Sequence, residues 1–133
     1  DALGNKKESL EMYEKLYSQT KSLKHGYQMA VLQFGLQRYG ECNTTCDALL
    51  TNNKVTTEKI SINVDQSNTQ EVPLSAAIHN LKGVMYKEMN QNDKAKGEFE
   101  IALKEDATFV LATKNLEAIS TKAESPKEDK KKK

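Results

Sequence analysis

Apolar residues in this chain recur every three to four positions along most of its length, in stretches separated by short polar turns. That spacing puts each apolar set on one side of a helix, and a one-sided helix is stable only when another helix covers the stripe. The first stripe is Leu10, Tyr13, Leu16 and Tyr17, predicting a helix over about 5–20. The next stretch carries Tyr27, Met29, Ala30, Val31, Leu32, Phe34, Leu36 and Tyr39, apolar on more than half its circumference, as in a helix packed on two neighbours. Gly40 interrupts it and is expected, with Glu41, to form the turn into a helix striped by Cys42, Cys46, Leu49 and Leu50. After Pro73, a residue suited to a first helical turn, Ile78, Leu81, Met85 and Met89 share a face. A turn at 90–93 leads to Ala95, Phe99, Ala102 and Leu103, and a closing helix over 107–121 carries Val110, Leu111, Leu116 and Ile119.

Residues 51–72 differ in kind. They are rich in Asn, Thr and Ser, and Ile60, Ile62 and Val64 alternate with polar residues, the period of a strand. A lone strand has no partner for its amides and carbonyls. We expect a long irregular insertion here, with a self-folded hairpin or an edge offered to another chain as the alternatives.

The chemistry the sequence excludes is broad. No apolar run reaches the roughly 18 residues of a spanning helix, so no membrane span is expected. A net charge of +1 supplies no field for phosphate backbones, so nucleic acid is not an expected partner. The surplus is itself local, because residues 122–133 hold six lysines against three acids and are expected to form a disordered lysine-rich tail. Cys42 and Cys46 share a helical face with Leu49 and Leu50 and read as small core hydrophobes. No second Cys or His pair is spaced to complete a zinc site, so no metal or cofactor is expected. His25 and His79 lie in no metal or nucleophile motif, and no phosphate-cradling or nucleophile-elbow motif occurs, so the chain is read as no enzyme. Asn43, Thr44 and Thr45 spell a glycosylation triplet at the start of an expected packed helix, and are read as accidental. The first residue is Asp1 rather than Met, as expected of a processed or excised piece, and localisation is not legible.

Helix pairs joined by short turns raise the question of a repeat. Residues 76–109 resemble a tetratricopeptide repeat of about 34 residues: Gly83, Tyr86, Ala95, Phe99 and Ala102 fall on five of its eight signature positions, while His79, Lys82 and Ala107 stand where Trp, Leu and Pro are usual. Residues 26–59 resemble a degenerate repeat in which Gln33 replaces the small residue of the first helix, and residues 4–20 resemble the second half of an earlier one, from a turn at Gly4. The resemblance implies one all-α domain over 1–121, a right-handed superhelix of about five helices in antiparallel pairs, closed by the 107–121 helix. It also implies a concave groove lined by the first helix of each pair. The positions that face such a groove are Tyr27, Phe34, Gln37 and Arg38 in the earlier repeat, and Asn80, Val84, Lys87 and Glu88 in the later one.

That implied groove mixes aromatic, amide and charged groups and suits an extended peptide or partner protein. The expected function is therefore a non-catalytic interaction scaffold. The alternative is an assembly component that pairs through the strand-like segment 58–66 or by self-association. About three repeats are normally needed to bury all stripes, so the N-terminal face is expected to be covered by upstream repeats or by a second copy.

Overall fold

The computed structural model describes residues 2–120. Helix α1 (Ala2–Thr20) leads to α2 (Leu23–Gly35) and α3 (Tyr39–Leu50). A short 3-10 turn (Asn53–Thr56) and two strands, β1 (Lys59–Asn63) and β2 (Thr69–Pro73), precede α4 (Leu74–Glu88) and α5 (Asn92–Glu105). A last helix, α6, covers 110–120. The described residues are mostly helical and form six α-helices, where about five were expected. The tail expected from residue 122 lies outside the described residues.

The pairs α1–α2, α2–α3 and α4–α5 run antiparallel. In the first hairpin Gly35 lies beside Lys6 and Gly26 beside Tyr17. In the second, Phe34 meets Tyr39, and Gly26 meets Leu49. In the third, Ser75 reaches Glu105, His79 reaches Glu98, and Lys94 lies over the Tyr86 ring. Each of these hairpins turns through a residue in the left-handed region: Lys21 (φ 57°), Gln37 (φ 62°) and Asn90 (φ 61°). In the latter two turns Arg38 N–H donates to Gln33 O and Gln37 N–H to Phe34 O, just as Gln91 N–H donates to Tyr86 O and Asn90 N–H to Lys87 O. These are paired capping bonds that satisfy the last helical carbonyls and need a left-handed residue between them, a place glycine usually takes. The second turn therefore sits at Gln37 and not at Gly40, which lies inside α3. Gly4 likewise lies inside α1, where a turn was expected.

The segment expected to be irregular is ordered. β1 and β2 form an antiparallel hairpin, with Lys59 opposite Pro73, Ile60 opposite Val72 and Ile62 opposite Gln70. The alternating residues put Ile60 and Val72 inward, both buried, while Lys59, Ser61, Asn63 and Glu71 face solvent. The loop is tied by Asp65, whose Oδ1 accepts from the N–H groups of Ser67 and Asn68 at 2.9 Å each. Bonds from the Asn68 side chain and these two amides favour the ionised form and hold the Asp65 carboxyl below its ordinary pKa. The hairpin also fixes the start of α6: the Gln70 side chain donates to Thr108 O at 2.5 Å and accepts from Val110 N–H at 3.0 Å. A helix begins with unpaired amides, and Gln70 supplies an acceptor for one of them.

The core gathers around α4, ten of whose fifteen residues are buried. Leu74, Ala76, Ala77, Ile78, Leu81 and Met85 join Tyr27, Ala30, Cys42, Cys46 and Leu49 in one cluster, while Ala95, Phe99 and Ile119 form a second. Two glycines permit the close helix crossings. A Cβ on Gly83 would lie 2.6 Å from Phe99 Cδ1, well inside van der Waals contact, and one on Gly26 would lie 2.6 Å from Leu49 Cδ2 and 2.9 Å from Tyr17 Cε1. The earlier pair thus places its small residue at Gly26, two turns before the position occupied by Gln33.

Candidate functional site: polar clusters and helix ends

Where α3, α4 and α5 meet, charged groups replace apolar packing. His79 Nδ1 and Glu98 Oε1 share a hydrogen bond of 2.7 Å. Lys82 Nζ donates to Asp47 Oδ1 at 2.7 Å and lies 3.6 Å from Glu98 Oε2. Lys82, His79 and Glu98 keep only 11%, 16% and 15% of their side chains exposed, whereas Asp47 keeps 55%. Burial alone would lower the Lys82 pKa, but its bond to Asp47 and the charges of Glu98 and Asp47 outweigh that and hold it above the ordinary lysine value. The cluster is therefore a network of paired polar and charged groups joining α3 to the α4–α5 hairpin. His79 and Lys82 occupy the positions where Trp and Leu were missing, and Leu81, 7% exposed, packs in the main core beside them.

The eight residues expected to face a groove are distributed differently. Tyr27 is core, and burial, with Cys46 and Cys42 beside it, pushes its phenol pKa up. Asn80 is buried and its Oδ1 accepts from Asn115 Nδ2 at 3.0 Å, while Val84 packs against the cluster of Ala95, Phe99 and Ile119. Helix α6 thus contacts the part of α4 on which Asn80 and Val84 stand. Phe34 is half-buried against Tyr39, with ring centroids 5.7 Å apart. The remaining four lie near helix ends: Gln37 and Arg38 are exposed in the α2–α3 turn, Lys87 is half-buried, and Glu88 is exposed at the end of α4.

Two depressions adjoin these ends. One, of about 490 Å³, is lined by Gln33, Gly40, Glu41, Thr44 and Thr45, and the Glu41 carboxylate lies 3.8 Å from Arg38 Nε. The other, of about 290 Å³, is lined by Lys87, Glu88, Asn90, Asn92 and Ile119. The first is open and lined more by apolar than by polar atoms, whereas the second is polar and more enclosed.

Cys42 and Cys46 are free and completely buried. Donation of its S–H to Cys42, reinforced by burial, holds the Cys46 thiol above its ordinary pKa, so it is a poor nucleophile. Among the described residues no group of three or more His, Cys, Asp or Glu is arranged to hold a metal ion. The Asn43 Oδ1 atom is buried with no hydrogen-bond partner among the described residues, while Thr44 is exposed. No helix among the described residues is long and apolar enough to cross a membrane.

No protein-family model matches the chain, and no curated protein does. The charge cluster was the feature least visible in the sequence. Its only signal was that His79 and Lys82 break the apolar signature at two positions three residues apart on one face.

Proposed function

We propose that the chain is a non-catalytic interaction scaffold, a tetratricopeptide-like superhelix of helix pairs that binds a peptide or partner protein. The Gly83–Phe99 crossing supports this reading most strongly, since the repeat signature asks for a small residue and an aromatic at those positions and the two are in close contact. The partner is engaged by the four residues left accessible near helix ends, Gln37, Arg38, Lys87 and Glu88, with the depressions beside them receiving its side chains. Charge of both signs near these helix ends suits an extended segment steered by charge. Tyr27, Asn80 and Val84 support the scaffold from within.

The test is a double charge reversal, Arg38→Glu with Lys87→Glu. Partner polypeptides captured by the wild-type chain and identified by cross-linking should be lost from the variant while its circular dichroism spectrum stays unchanged. Undiminished capture by the folded variant would refute the placement of the site.

A further inference from the structure

The hairpin has two edges of unequal character. Leu74 N–H donates to Glu58 O and Val64 N–H to Asn68 O, so the bonded pairs of this ladder fall on even-numbered residues of β1. In an antiparallel ladder the intervening residues point their amides and carbonyls away from the partner strand. Lys59, Ser61 and Asn63 therefore direct their backbone groups outward, all three are exposed, and none of these groups bonds to another described residue. On β2 the corresponding outward positions include Pro73, which has no N–H to offer. Only β1 presents an unbroken set of donors and acceptors.

We propose that this free edge pairs with the same edge of a second copy, joining two hairpins into one four-stranded antiparallel sheet about a two-fold axis at Ser61. The strand Lys-Ile-Ser-Ile-Asn has the same pattern of polar and apolar residues in either direction. Pairing Ser61 with Ser61 of the second copy places Lys59 opposite Asn63 and Ile60 opposite Ile62. No like charges face each other, and every outward N–H and C=O of the three residues finds a partner. An isologous contact of this kind is the commonest way a protein closes on itself. It also relieves a weakness, since a two-stranded sheet is marginal alone and gains stability as strands are added. The apolar side of the extended sheet stays continuous, because Ile60 and Ile62 from both copies lie on the face that packs toward the helices. This surface is distinct from the helix-end residues of the proposed partner site.

The pairing is tested by its register. Sedimentation over a concentration series should show a monomer–dimer equilibrium. In the proposed register the Cα atoms of the two Ser61 residues lie roughly 5.5 Å apart, within disulfide range, whereas the two Lys59 residues lie roughly 14 Å apart along the strands. Ser61→Cys should form a disulfide-linked dimer under mild oxidation and Lys59→Cys should stay unlinked; Cys42 and Cys46 are buried and do not compete. Asn63→Lys, which sets lysine against Lys59 at both ends, should weaken dimerisation about 2- to 30-fold, and Asn63→Glu should tighten it by a similar factor. Both substitutions are at an exposed position. A chain that sediments as a monomer throughout overturns the proposal, as does a dimer in which position 61 links no faster than position 59 or which ignores both changes at Asn63. A monomer that captures only a foreign strand-forming peptide at this edge overturns the choice of a second copy.

Discussion

Replacing Gly83 by alanine adds a single methyl group, and the structure specifies what that group meets. It would stand 2.6 Å from Phe99 Cδ1, against a ring that is wholly buried and cannot swing away. Alanine is the better helix former by about 0.8 to 1.0 kcal/mol, so the substitution carries a gain as well as a penalty. Overpacking a tight core costs about 1 to 3 kcal/mol, which leaves a net loss of up to roughly 2 kcal/mol. Gly97 provides the control. It lies on α5 of the same hairpin, and a Cβ there meets nothing within 4 Å, so Gly97→Ala should realise the helix-propensity gain of about 0.8 to 1.0 kcal/mol unopposed. The difference between the two variants isolates the crossing, and it should amount to about 1 to 3 kcal/mol, or several degrees in melting temperature. Thermal and urea unfolding of both proteins measure it. Combining Gly83→Ala with Phe99→Leu should recover part of the penalty, because the ring is the obstacle. If Gly83→Ala and Gly97→Ala stabilise the chain equally, α4 and α5 do not cross in van der Waals contact and the reasoning fails.

Further outcomes follow from the turns and the charge cluster. Lys21→Gly and Gln37→Gly should each stabilise the chain by about 0.5 to 1 kcal/mol, because a side chain in the left-handed region is strained and glycine is not, while Asn90→Gly should change little because Asn tolerates that region; denaturant midpoints of the three variants decide this. Lys82→Met should cost about 2 kcal/mol, less than the usual penalty for breaking a buried pair, because Glu98 keeps its hydrogen bond to His79 and Asp47 remains largely in water. Since the folded-state pKa of Lys82 is raised, its pairing contributes fully below the ordinary lysine value and is lost as pH rises through the folded one. The wild type should therefore lose stability above about pH 10.5 more steeply than Lys82→Met.

The helices were legible because their stripes are long and regular: Ile78, Leu81 and Met85, or Ala95, Phe99 and Ala102, leave little choice of period, and each is buried as its spacing implied. The second turn was misplaced because Gly40 is the obvious breaker, whereas the chain bends at Gln37, a residue whose left-handed conformation is imposed by the capping bonds around it. The hairpin was only half visible. β1 alternates plainly, but β2 offers a single aliphatic anchor, Val72, followed by a proline that reads as a helix start. Its pairing depends on Asp65 closing the turn and on Gln70 reaching residues 108 and 110, contacts distant in sequence. The expected groove positions rest on the offsets that the tetratricopeptide resemblance implies, placed in and just after α2 and within α4. That rule could not register that α6 packs over Asn80 and Val84, or that Tyr27 is needed beside the cysteines.

Binding remains the most direct measure of the scaffold reading. A photoreactive side chain placed at Glu88, exposed at the end of α4, should trap a partner polypeptide in the wild-type background and lose it when Arg38 and Lys87 are both reversed to glutamate. Equal trapping in the two backgrounds, or trapping only from positions on the hairpin, would contradict it.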